Sequence, residues 1–187
     1  MIKRVLSIVS LHGTDLHIKR HNTRTVKVLV PSIKTKPRLQ KWNYSSTVGC
    51  LSYIQGMVCP DITFPVQQCA RFCHLSSRDH EEAVKLVCRY LLRTCDKGLI
   101  LRPKKTKGLQ CYIDAYWAGA WTFNPSYDLL SNHCRTGFVI LYTGCQIMWK
   151  SKIQSITALS TTEAEYISLS SVLREVIVII HLLEDLY

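Results

Sequence analysis

Two carboxylates at the ends of apolar runs are the residues here whose type and place best suit chemistry. Asp114 follows the run Leu109–Ile113 and falls on the same side as Tyr112. An Asp at a strand end serves either as a metal ligand or as a turn residue bonded to its own backbone. Glu163 and Glu165 stand at the start of a long apolar segment. At about 100° per residue they point roughly 200° apart on a helix and cannot share one site. Leu169, Val172, Val176, Ile180 and Leu183 follow Glu165 at steps of three and four, which aligns it with the stripe expected to be buried. Glu163 falls on the other face, with Arg174, His181 and Asp185. Ser160 and Glu163 have the capping-box spacing and are expected to cap the helix start. A carboxylate in line with an apolar stripe needs a metal, a basic partner or a path to water, because a lone buried charge is too costly.

The elements that must hold these groups follow from the periodicity. Leu99–Leu101 and Leu109–Asp114 read as strands on either side of a basic loop, Lys104, Lys105, Lys107 and Gly108. Gly137–Tyr142 and Gln146–Lys150 read as a hairpin turning at Thr143, Gly144 and Cys145. A helix is expected from Ser160 to about Leu186. Upstream the period is helical. Ser45 or Ser46 can cap a helix carrying Val48, Leu51, Ile54, Met57 and Val58, which Pro60 stops. Asp61 can cap a second helix through Val66, Cys69, Ala70 and Phe72, with Pro65 tolerable only in its first turn. Ser76 or Ser77 opens a third, with Ala83, Val84, Val87, Cys88, Leu91 and Leu92 on one face and Gly98 at its end. Residues 1–41 show only weak strand-like runs at Val5–Leu11 and Val26–Val30. The fold class is α/β (α+β), with a sheet covered on one face by one long helix.

Composition bounds the partners. With 187 residues, 47% of them apolar, the chain can bury a core, which excludes wholesale disorder. The net charge of +11 is uneven: residues 1–41 carry 10 Lys/Arg against Asp15, and the remainder 14 against 12 Asp/Glu. A basic arm on a near-neutral body suits a polyanion, or is simply a solvated, partly disordered tail. The nine cysteines are odd in number and include no CxxC pair. The cluster Cys69, Cys73, His74 and His80 fits no zinc spacing, while Cys88 and Cys111 occupy positions that want a small apolar residue. A reducing compartment is implied. Met1–Leu11 lacks a signal-peptide cleavage site and Val176–Leu183 is too short to span a bilayer, so an intracellular location, cytoplasmic or nuclear, is expected without signal peptide or transmembrane segment.

The segment Lys152-Ile153-Gln154-Ser155-Ile156-Thr157-Ala158-Leu159-Ser160-Thr161-Thr162-Glu163-Ala164-Glu165-Tyr166 closely resembles the SKxQxxxALSTTEAEY signature of copia-type ribonuclease H. Tyr112-Ile113-Asp114-Ala115-Tyr116-Trp117-Ala118-Gly119 resembles that family's Y-x-D-A-D-W-A-G strand, and Arg135-Thr136-Gly137-Phe138 with Gly144-Cys145 to Trp149 resembles its hairpin. Upstream, Trp42 to Val48-Gly49, Leu51-Ser52-Tyr53 and Pro60-Asp61-Ile62, then His80 and Arg89-Tyr90-Leu91-Leu92, resemble the segment that follows the reverse-transcriptase palm in retrotransposon Pol polyproteins. The resemblance runs from about Trp42 to Leu186 and implies three parts. These are a basic arm (1–41), a reverse-transcriptase C-terminal or connection segment (42–97) and the N-terminal half of a ribonuclease H-like domain (98–187). It implies Asp114 and Glu165 as catalytic, Mg²⁺-binding carboxylates acting on the RNA strand of an RNA–DNA hybrid, with the other Pol segments as partners. The family's third and fourth carboxylates would follow Tyr187, so a truncated, catalytically inactive copy is expected. Tyr116 replaces the second Asp of the family's DAD motif, Cys59 its usual Arg and Pro65 its common Ala, which implies drift. The alternative is a non-catalytic nucleic-acid-binding module that holds phosphates with Arg89, Arg93, Lys104, Lys105 and Lys107.

Overall fold

The computed structural model describes residues 2–9, 29, 38, 42–117 and 133–186. They divide into two units, Met1–Leu99 and Ile100–Tyr187.

The first unit is helical: α1 (Ile2–Ile8), α2 (Tyr44–Met57), a 3₁₀ turn (Pro60–Ile62), α3 (Thr63–Ala70) and α4 (Arg78–Arg93). Leu51 and Ile54 from α2, Val66 from α3 and Val84, Val87, Cys88 and Leu91 from α4 form its core. Val5, Leu6 and Val9 join them, so the described part of the Val5–Leu11 run is helical rather than strand-like, and Ser10 and Leu11 lie outside the described residues. Leu29 is buried in the same core, and the rest of Val26–Val30 lies outside the described residues.

Helix starts differ from the sequence expectation in two places. The α2 cap is Asn43 rather than Ser45 or Ser46, its side chain accepting the Ser46 N–H at 2.9 Å. Asp61 caps nothing; it accepts the Tyr90 hydroxyl from inside the 3₁₀ turn, and α3 begins after it without a side-chain cap. Pro65 stays in the first turn of α3. Ser77 caps α4 in a box closed by His80, whose ring stacks on Phe72 at 4.0 Å between centroids. That helix ends at Arg93, short of Gly98. Burial pushes the thiols of Cys69 and Cys88 up to about 12, the behaviour of cysteines used as small apolar side chains.

In the second unit β1 (Leu109–Tyr116), β2 (Arg135–Tyr142) and β3 (Cys145–Ile153) form an antiparallel sheet in that order, and α5 (Thr161–Leu186) lies across it. The register pairs Cys111 with Ile140, Ile113 with Phe138 and Ile140 with Met148. This places one apolar face under Val172, Val176 and Ile179 of α5. Leu99–Leu101 is not a strand: Ile100 and Leu101 are exposed, and the connection meets the sheet through the Lys104 N–H, which donates to the Thr143 carbonyl at 2.7 Å. The β2–β3 turn holds Thr143 at φ 51° and Gly144 at φ 82°, the left-handed pair that a two-residue hairpin needs.

Among the described residues, α5 is long and apolar enough to cross a bilayer by length and composition, which Val176–Leu183 taken alone did not suggest. Its ties to the sheet make it the covering helix. Lys150 of β3 pairs with Glu175 at 3.0 Å, and Gln154, just after β3, donates to the Ala164 carbonyl at 2.9 Å.

Candidate functional site

The helical wheel aligns Glu165 with the expected buried stripe of α5, and the helix is turned from that position. Its fully covered line is Ala164, Ser168 and Val172. Leu169 and Ile180 keep 41% and 39% of their surface. The small side chains of Ala164 and Ser168 let the helix settle closest along that line, so Glu165 comes to its shoulder. There it is exposed, and it accepts the Ala115 N–H through Oε1 at 3.3 Å.

Asp114 is the residue before Ala115, exposed near the C-terminal end of β1 and paired with Gly137 across the sheet. Strand alternation sends Ile113 and Ala115 to the helix-covered face and Asp114 to the other, with Tyr112 and Tyr116. The structure thus brings Glu165 to the backbone beside Asp114, at the end of an edge strand. A surface hollow lined by Ile113, Thr161, Thr162, Glu165, Tyr166 and Leu169 adjoins it. Both carboxylates are hard oxygen donors open to solvent, the chemistry that suits Mg²⁺, which keeps several waters and takes one or two carboxylates together with substrate phosphates. Among the described residues no group of three or more His, Cys, Asp or Glu side chains converges.

Ser160 and Glu163 stand at the helix start. The Ser160 hydroxyl accepts the Glu163 N–H at 3.1 Å, and Glu163 Oε2 accepts the Leu159 N–H at 2.7 Å. Glu163 is therefore turned away from Asp114. The basic candidates are divided between the two units. Arg89 and Arg93 are half-buried on α4 of the first unit. Lys104, Lys105 and Lys107 are exposed in the loop before β1, docked on the β2–β3 turn. That turn lies beside Leu109, five residues from Asp114, or roughly 17 Å along the strand.

Sequence reasoning assigned no role to Gln154, although it lies in the quoted signature. Its side chain is buried and donates to Thr136, Ala164 and Ser168.

In sequence, the chain is similar to several known proteins. The chain is 35% identical over 168 residues to the retrovirus-related Pol polyprotein from transposon TNT 1-94 of Nicotiana tabacum, covering 89% of this chain and 12% of that protein. It is 32% identical over 178 residues to the Pol polyprotein from transposon RE2 of Arabidopsis thaliana, covering 90% and 12%. It is also 34% identical over 134 residues to secreted RxLR effector protein 161 of Plasmopara viticola, covering 72% of this chain and 89% of that protein. No family model and no solved structure matches. The chain spans about 12% of the length of the Pol relatives it matches, and by its likeness to them over some nine-tenths of its own length it belongs to the copia-type retrotransposon Pol family.

Proposed function

We propose that the second unit is part of a ribonuclease H-type nuclease within a Pol polyprotein, and that Asp114 and Glu165 are two of its metal-holding carboxylates. The observation that carries this reading is the Glu165 carboxylate seated on the Ala115 N–H, next to Asp114, from an element fifty residues away in sequence. Mg²⁺ bound there would activate a water and neutralise charge on the oxygen leaving the RNA strand. The protein's own part is positional. β1 holds Asp114 at a strand end, α5 brings Glu165 to the backbone N–H of the next residue, Ala115, and the Glu163 carboxylate is engaged by the Leu159 N–H. Exposure of both groups admits a polymer backbone, which such a site reads by shape rather than sequence.

Two carboxylates are a weak hold on divalent ions, so the chain alone is an inefficient or inactive nuclease and the remaining Pol segments are its natural partners. An intracellular setting, cytoplasmic or nuclear, goes with that role. A second reading, a non-catalytic nucleic-acid-binding module, draws on the exposed lysines 104, 105 and 107.

Cleavage of a labelled RNA–DNA hybrid in Mg²⁺, run beside Asp114→Asn, tests the proposal. The expected result is little or no cleavage, the same in both proteins, with salt-sensitive hybrid binding retained. Cleavage by the native chain that disappears in Asp114→Asn would overturn the inactive reading and make the chain an enzyme in its own right.

A further inference from the structure

The position of Glu165 depends on how α5 is rotated about its axis, and the apolar contacts near its start do little to fix that rotation. The buried cluster there consists of Cys134, Ala158 and Ala164, with Ala115 and Ile167 against it. Side chains as small as alanine leave smooth surfaces that can slide or turn against one another. A directional contact has to set the angle, and a buried polar node lies at this place. Gln154 is 5% exposed, Thr136 6% and Ser168 0%. Gln154 Nε2 lies 2.9 Å from the Ala164 carbonyl oxygen, 3.0 Å from Ser168 Oγ and 3.2 Å from Thr136 Oγ1. The two hydroxyls are 2.7 Å apart. The Gln154 backbone is anchored too, its N–H donating to the Cys134 carbonyl at 2.8 Å.

The orientation of the amide is determined by chemistry, because the Ala164 carbonyl can only accept. The NH₂ must face it, and Oε1 is left buried without a partner among the described residues. Ala164 and Ser168 are one turn apart on the helix, and both are gripped by the same group. Thr136 completes the link to Glu165, since it pairs directly with Ala115 across β1 and β2. The node therefore ties the helix turn that bears Glu165 to the strand residue opposite the amide that Glu165 meets. Rotating α5 by one residue, about 100°, would break the bonds that reach Ala164 and Ser168.

We infer that Gln154, with Thr136 and Ser168, is a positioning residue for Glu165: it sets the rotation of α5 so that this carboxylate reaches the β1 edge at Ala115. The inference rests on the reading above that Glu165 belongs to the metal site. Gln154 itself touches no substrate or ion.

Amide hydrogen exchange followed residue by residue by NMR on the full chain is the test, comparing Gln154→Met, Ser168→Ala and Glu165→Ala with the native protein. The expected result is a selective loss of protection at Ala115, about tenfold or more, in Gln154→Met and Glu165→Ala alike. A smaller loss is expected in Ser168→Ala, and Phe138–Ile140 in the middle of β2 should be unchanged in all three. Protection at Ala115 that survives Gln154→Met but not Glu165→Ala would overturn the inference. So would a uniform loss across the sheet in both Gln154→Met and Ser168→Ala, which marks a merely structural role. Binding of Mn²⁺ by the native chain is read separately. Its absence, with the selective loss at Ala115 intact, would remove the metal-site reading and leave the positioning role standing.

Discussion

An amide on the outer side of an edge strand needs an acceptor, and Ala115 finds one in a side chain from another element. Glu165 Oε1 takes that N–H at 3.3 Å, which leaves its second oxygen for another partner. Replacing Glu165 by Gln keeps the shape and removes the charge. A neutral acceptor at an exposed edge gives up on the order of 0.5–1 kcal/mol of hydrogen-bond strength, so thermal stability should barely move while divalent-ion affinity falls. A large drop in stability would make Glu165 a structural residue instead. Gly144 is the other residue whose identity the backbone demands. At φ 82°, with Lys107 3.4 Å from where a Cβ would stand, Gly144→Ala should cost about 1 kcal/mol, seen as a lower melting temperature. An unchanged melting temperature would mean that the hairpin adjusts its turn.

At the scale of elements, how much is legible in the sequence depends on what sets each boundary. The strand β1, the hairpin and the long helix are legible, because their period and turn residues are local properties of the sequence. Helix starts are less so. Asn43 outcompetes Ser45 and Ser46 because α2 begins at Tyr44, whose ring is buried and whose hydroxyl bonds to the Cys69 carbonyl at 2.9 Å. Such a choice is made by tertiary packing. Leu99–Leu101 has the composition of a strand and, among the described residues, no strand to pair with. The rotation of α5 departs from the wheel for a similar reason: the wheel counts large apolar residues, and the closest approach to the sheet is made by the small ones, Ala164 and Ser168. Of the site, the wheel favours Glu165 over Glu163 through a buried stripe from which the helix is turned, and the Gln154 node is not legible, since nothing local says that one amide will meet three partners. The start of α5 carries its own test. Ser160→Ala removes the acceptor of the Glu163 N–H and should cost about 1 kcal/mol in urea unfolding; no change in the midpoint would show that the Glu163–Leu159 bond alone secures the end.

For the molecule as a whole, pH and salt should separate the two units. Cys69 and Cys88 sit in the core of the first unit with thiols raised from 9.0 to about 12. A raised folded value means that their contribution to stability is complete below pH 9 and disappears as pH climbs towards 12. The helical signal of the first unit should therefore weaken in alkaline urea titrations between those values, and Cys88→Ala should reduce that dependence. A flat alkaline profile would contradict the burial of these thiols. Salt acts on the second unit through its exposed loop. Replacing Lys104, Lys105 and Lys107 together by Gln should weaken hybrid binding and lower the slope of log affinity against log salt by up to about 0.9 for each phosphate that is no longer neutralised. An unaltered slope would remove this loop from any phosphate-binding role.

Whether Asp114 and Glu165 act together on one ion is the central question, and titration of the intact chain with Mn²⁺, followed by electron paramagnetic resonance, asks it most directly. The expected result is weak binding, abolished by Asp114→Asn and by Glu165→Gln and unaffected by Glu163→Gln. Binding that persists in both of the first two variants, or that Glu163→Gln removes as well, would contradict the site.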